Sequence, residues 1–306
     1  MIQERNSMPF FATLCLATVF VLTINSTTAF GQRRGSPTIW LMDADGSNAR
    51  QLLRFSDYYW HGSAVYSRDG KWIAFDATKM RGRGAHIFKV SSDGREMTIQ
   101  DLGPGRVPSW AKKDKKIAFY SYGEDRDGIK AGIWTMSADG TKRKWLCDGQ
   151  RPKWSPDGTK IAYASDHEGE RSVYVSHMGE SKRVLNKEYD SIAGPNWSPD
   201  GKQLVFIGGR EGRKELVIIS ADGSDQSMKT RLTGNIGWIP SWSPDGKSIL
   251  IWIKQDNGAS WLHAVNPNKD KDPELLKGQE TTFFNSDASW SPDGNVIAFT
   301  SDRDSK

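Results

Sequence analysis

Five residues with binding or acid–base chemistry stand at matching points of a recurring unit: His61, Arg106, Arg151, Trp238 and Asp287. Each lies a few residues ahead of an aromatic anchor, where the chain should approach a central axis. Gathered on one rim, the two arginines, the Trp and the His have the donors to hold an anionic group or a peptide carboxylate. The alternative is that they only fill and solvate a channel mouth. His61, Arg106, Arg151 and Asp287 also include the acid and base types that a polysaccharide lyase or glycoside hydrolase requires.

Other reaction classes lack their strings. No Gly-x-Ser-x-Gly elbow, His-Glu-x-x-His pair or phosphate-binding Gly-x-x-x-x-Gly-Lys is present. The histidines (His61, His86, His167, His177, His263) are scattered and not at metal-ligand spacing. Asp43-Ala-Asp45-Gly46-Ser47-Asn48 mimics the start of a calcium loop, but Arg54 occupies the acidic twelfth position. It reads instead as an Asp-Gly hairpin. Ser165-Asp166 and Ser301-Asp302-Arg303 read as loop-capping groups, and Glu124, Asp125 and Asp127 as a solvated acidic loop. No metal or cofactor is expected.

The elements that must position these residues repeat. Trp-Ser-Pro-Asp-Gly occurs four times, with Trp154, Trp197, Trp242 and Trp290 as its first residue. Degenerate copies begin at Tyr66 and Trp110. From anchor to anchor the steps are 44, 44, 43, 45 and 48 residues. A β-type run follows each anchor, as in Trp72-Ile-Ala-Phe75 or Val296-Ile-Ala-Phe299. A second set of runs ends in Asp-Gly, the dipeptide that favours tight hairpins because Gly accepts φ > 0. A unit of about four strands in about 45 residues is the blade of a β-propeller. The expected fold is therefore all-β: a six-bladed β-propeller of four-stranded blades. The chain opens on the outer half of a blade and closes on the inner half. Pairing of the N- and C-terminal strands should seal the ring and leave no open edge. The anchors Tyr66, Trp110, Trp154, Trp197, Trp242 and Trp290 should fill the gaps between blades. This accounts for much of the content of 13 Trp in a chain that is 26% charged.

An apolar stretch over residues 10–24 is short for a membrane span, which needs ~20 residues. Small residues follow it, so residues 1–31 read as a secretory signal peptide and residues 32–306 as the mature propeller. That implies a periplasmic or otherwise extracytoplasmic protein with no integral span after cleavage. Of the two cysteines, Cys147 alone remains in the mature segment, so no intrachain disulfide is expected. The net charge of +5 includes lysine-rich turns at 112–116 and 142–144. In an exported protein nucleic acid is not the expected target, and attraction to anionic envelope components is compatible with the charge.

Pro152-Lys-Trp-Ser-Pro-Asp-Gly-Thr-Lys-Ile-Ala-Tyr-Ala-Ser-Asp166 and Ile133-Trp-Thr-Met-Ser-Ala-Asp-Gly140 resemble the WD-like repeat of the TolB propeller family. The resemblance implies a six-bladed propeller in the cell envelope that binds a protein or peptide partner, in that family a peptidoglycan-associated lipoprotein. The family's N-terminal α/β domain has no counterpart ahead of the repeats. The resulting expectation is an exported, non-enzymatic, monomeric partner-binding propeller. The alternative is a propeller enzyme, a polysaccharide lyase or glycoside hydrolase, working at the channel mouth.

Overall fold

The computed structural model describes residues 37–303, apart from 54–57, 80–83, 94–98, 124–127, 167–168, 170, 178, 186–188, 225–228, 270 and 280–281. The leader expected over residues 1–31 and the acidic loop at 124–127 lie outside the described residues. The strands form six four-stranded antiparallel sheets. Blade I holds β3 (Tyr58–Tyr66), β4 (Trp72–Lys79), β5 (Ala85–Ser91) and β6 (Gln100–Pro104). Blade II holds β7 (Arg106–Trp110), β8 (Lys116–Ser121), β9 (Gly132–Ser137) and β10 (Lys144–Cys147). Blade III holds β11 (Gln150–Trp154), β12 (Lys160–Ser165), β13 (Ser172–His177) and β14 (Glu180–Arg183). Blade IV holds β15 (Ser191–Trp197), β16 (Gln203–Arg210), β17 (Arg213–Ser220) and β18 (Lys229–Gly234). Blade V holds β19 (Ser241–Trp242), β20 (Ile249–Lys254), β21 (Ser260–Val265) and β22 (Glu274–Leu275).

Blade VI is assembled from both ends of the chain. Its order is β2 (Arg50–Leu53), β1 (Thr38–Asp43), β24 (Val296–Ser301) and β23 (Asn285–Trp290). The β1–β24 pairing runs without a break from Thr38↔Ser301 to Asp43↔Val296. The seam is thus an internal sheet ladder, as the split repeat requires. Arg303 fastens its end by donating to Ser301 Oγ and to Asn285 Oδ1 at 3.1 Å. Asp302 Oδ1 accepts the Phe284 N–H at 2.7 Å. The Ser-Asp-Arg segment therefore caps local structure, as expected.

Each anchor lies in a separate hydrophobic cluster between two blades. Trp110 packs between blades I and II, Trp197 between III and IV, Trp242 between IV and V. Tyr66, Trp154 and Trp290 take the same place at the other three interfaces. A buried aromatic ring of this size contributes roughly 3 kcal/mol or more to such a core. Two anchors also bond across the interface: Trp110 Nε1 donates to Val65 O at 3.2 Å, and Trp197 Nε1 to Lys153 O at 2.9 Å.

The turn after the anchor has a fixed chemistry. The Ser hydroxyl donates to the Asp two residues on, at 2.6 Å in Ser155–Asp157, Ser198–Asp200 and Ser243–Asp245. The same Ser oxygen accepts the N–H of the first residue of the next strand, for example Lys160 N at 2.9 Å. Pro156 presents no N–H at the turn tip, where no partner is needed. Blade I lacks that proline. Its free Arg68 and Asp69 N–H groups are taken by the Asp114 carboxylate of blade II, at 2.6 and 2.9 Å. The two degenerate repeats thus compensate each other.

Candidate functional site: the central channel

The innermost strands touch in sequence around the ring, β3 to β7, β11, β15, β19, β23 and back to β3. Five of them carry a bulge at one repeat position, three residues before the anchor. Ser63, Val107, Arg151, Gly194 and Asp287 have φ of 53°, 48°, 55°, 65° and 50°. The pairing register shifts across each of these positions. Left-handed backbone is costly for a non-Gly residue, most of all for a β-branched one such as Val107. Only glycine fits at 194, because a Cβ there would lie 2.3 Å from Trp238 O. The bulge interrupts the pleat and re-aims side chains at the axis.

All six blades line one cavity of about 260 Å³, whose wall includes Ser63, Ser109, Lys153, Asn196, Ser241 and Asp287. Carboxylates join neighbouring bulges. Asp287 Oδ2 accepts the Ser63 N–H at 3.4 Å, and Asp76 Oδ1 accepts the Val107 N–H at 3.2 Å. Ser63 also hydrogen-bonds Asp76 through its side chain. Asp76 is only 4% exposed, and burial pushes its carboxyl up to about 6, against the pull of Arg106. Asp287 is raised for the same reason, with Arg151 and Lys153 opposing. Burial pulls the Lys153 ammonium down to about 8, although Asp287 favours the charged form. Arg106, Arg151 and Lys153 therefore act on the two carboxylates, and Arg68 acts on Lys153.

A family model for the TolB beta propeller domain matches residues 133–272. A solved structure assigned as TolB from Agrobacterium tumefaciens superimposes with a TM-score of 0.69 over 87% of this chain and 97% of its own. Over residues 133–272 the chain is similar to the TolB beta propeller domain, and its fold is a six-bladed β-propeller. Sequence identity with the Agrobacterium protein is 18%. TolB from Acinetobacter baumannii superimposes with a TM-score of 0.62 at 16% identity, over 87% of this chain. The chain spans 63% of the length of that protein. An oligogalacturonate lyase from Vibrio parahaemolyticus also shares the fold, with a TM-score of 0.52 at 13% identity over 85% and 82% of the two chains. At these identities the likeness is one of fold. Among curated proteins, none matches the sequence.

Of the five residues expected at the channel mouth, Asp287 lines the cavity. Arg106, Arg151 and Asp287 all act on the Asp76–Lys153 cluster. Arg106 also stacks its guanidinium 5.3 Å from the ring centre of Tyr122. His61 is not on the rim. It is fully buried beside Tyr58 and Phe75. Its Nδ1 lies 2.7 Å from Pro37 O, which can only accept, so this nitrogen carries the proton. Burial lowers its pKa, and the ring acts as a neutral clamp beside the seam. Trp238 packs on the core between blades IV and V under the Lys214 amine, 3.9 Å from the ring centre, and does not line the cavity.

Three residues of the charge cluster escape a reading confined to strand starts: Asp76, Lys153 and Arg68. Alignment of the repeats reveals each. Ten residues after the anchor, Asp76 stands where the other blades have Tyr120, Ala164, Ile207, Trp252 and Thr300. One residue before the anchor, Lys153 stands among Val65, Ser109, Asn196, Ser241 and Ser289. Among the described residues, no group of His, Cys, Asp and Glu could hold a metal ion, and no helix is long and apolar enough to cross a membrane.

Proposed function

We propose that this TolB-like propeller is exported to the periplasm or an equivalent extracytoplasmic space and binds a protein or peptide partner of the cell envelope at its channel, without catalysis. One observation carries the reading. The cavity shared by all six blades is lined by Lys153 and Asp287, with Asp76 hydrogen-bonded to the lining residue Ser63, and burial works against all three charges. A core has no use for such groups, and perturbed ionisable clusters in clefts mark functional sites. Both carboxylates accept backbone N–H groups of bulges, which holds them in defined positions. The TolB assignments of the Agrobacterium and Acinetobacter relatives support an envelope role, and a lipoprotein is the partner class that the resemblance suggests.

A second reading rests on Asp76. A carboxyl at about 6 beside a second carboxylate is suited to general acid–base work, and an oligogalacturonate lyase shares the fold. The two readings separate on turnover. The purified protein, incubated with oligogalacturonate and other anionic oligosaccharides, is expected to release no product above a blank. Turnover abolished by Asp76→Asn would overturn the binding-only reading.

A further inference from the structure

The channel cavity opens toward the Asp-Gly turns, because Ser67, Arg68, Pro156, Pro199, Pro244 and Pro292 line its rim. Its cations are not spread evenly around the ring. Arg68 occupies the turn position that is Pro156, Pro199, Pro244 and Pro292 in four other blades, and it is exposed there. Lys153 is the one cation at its own repeat position. Between them, blade II replaces Ser-Pro-Asp-Gly by Ala111-Lys112-Lys113-Asp114, followed by Lys115 and Lys116. All four lysines are exposed.

The turns of blades I to III are knit into one sector. Asp114 grips the Arg68 and Asp69 N–H groups on one side. On the other, Lys112 packs so closely on the blade III turn that a Cβ at Gly158 would lie 2.5 Å from the Lys112 Cβ. Lys113 and Asp114 hold left-handed backbone, φ 70° and 52°, without being glycine. That costs of order 1 kcal/mol or more each. The acids nearby are already engaged: Asp114 with the N–H groups above, Asp69 and Asp157 with their own turns. Inside the cavity, Ser289 Oγ and the indole N–H groups of Trp154 and Trp242 are buried with no partner among the described residues. The site therefore offers cations and neutral donors in excess over acceptors.

Such a site suits a ligand made of acceptors. We infer that this sector binds an acidic peptide segment, one carboxylate entering the cavity between Arg68 and Lys153 and flanking acids meeting Lys112, Lys113 and Lys115. The inference rests on the partner-binding reading above and names the chemistry of the partner. A flat anionic membrane fits the face less well. Beside the rim prolines of blades IV to VI stand Asp200, Asp245 and Asp293, and these repel a continuous negative sheet while leaving the blade I–III sector open to a single chain.

The test is a tryptophan-fluorescence titration of the full chain with hexaglutamate, hexalysine, inorganic phosphate and phosphatidylglycerol vesicles. The expected result is saturable binding of hexaglutamate alone, weakened by added salt. Arg68→Gln with Lys153→Met should weaken it about tenfold or more. Lys112→Glu with Lys113→Glu should weaken it about threefold, these side chains being exposed. Circular dichroism matching the wild type certifies that each variant is folded. Hexaglutamate that fails to bind, binds both variants as well as the wild type, or is outmatched by phosphate or vesicles overturns the inference. Loss of envelope-partner capture in a separate channel variant, with hexaglutamate inert, would retain the binding function and discard only the acidic ligand.

Discussion

Deleting residues 290–306 is expected to abolish the cooperative unfolding transition. The deletion removes β24, the strand between β1 and β23 that joins the chain ends. Ile297, Ala298 and Phe299 are fully buried, as are Thr300 and Ser301. Each large apolar side chain lost withdraws roughly 1.5–3 kcal/mol. The orphaned β1–β2 pair also loses its neighbour in the sheet. Total stabilities are about 5–15 kcal/mol, so losing these side chains together with the β24 ladder is comparable with the whole stability of the ring. Phe299→Ala preserves chain length and isolates the packing component; it should cost about 3–5 kcal/mol. Differential scanning calorimetry decides the matter. A truncated chain melting within a few degrees of the full one would show that the seam is dispensable.

The opposite sign is expected for Asp76→Asn, which should stabilise the protein. A carboxyl whose folded pKa exceeds its unfolded value binds its proton more tightly in the native state. Its stabilising contribution is complete below the ordinary value of 3.8 and is lost as the pH rises through about 6. At pH 8 the ionised group thus costs the fold on the order of 3 kcal/mol. Asparagine keeps an oxygen for the Val107 N–H and removes the charge. The urea midpoint should rise by the equivalent of about 1–3 kcal/mol at pH 8, with no difference at pH 4. Lys153 works from the other side. Its folded pKa of about 8 lies below the ordinary 10.5, so the cost of its burial is complete below pH 8, fades between pH 8 and 10.5, and is absent above. A destabilised Asp76→Asn at pH 8 would mean that Arg106 more than compensates burial, and would remove the argument that the channel keeps charge at the expense of stability.

The fold was legible because its signals are local and repeated. Trp-Ser-Pro-Asp-Gly encodes both the interblade ring and the turn beyond it, and the split between residues 38–53 and 285–301 shows how the ring closes. The site was legible only in part. Arg106, Arg151 and Asp287 stood out because they are charged residues at strand starts. His61 and Trp238 occupy similar places in the chain, yet both side chains face the cores between blades. The bulges that decide which residues face the axis are nearly silent in the sequence. Of the five left-handed positions, Gly194 alone is a glycine. Asp76 was hidden in a β-type run, where a single charge after Trp72-Ile-Ala-Phe75 resembles the end of a strand. It stands out when the same position is compared across all six blades.

The central claim is that the channel charges serve to bind an envelope partner. The most direct measurement is parallel affinity capture from native membranes by the wild type and by Arg106→Ala with Arg151→Ala, each first confirmed as folded by its melting curve. The account predicts that a protein retained reproducibly by the wild type is lost from the double variant; undiminished capture by the variant would contradict it.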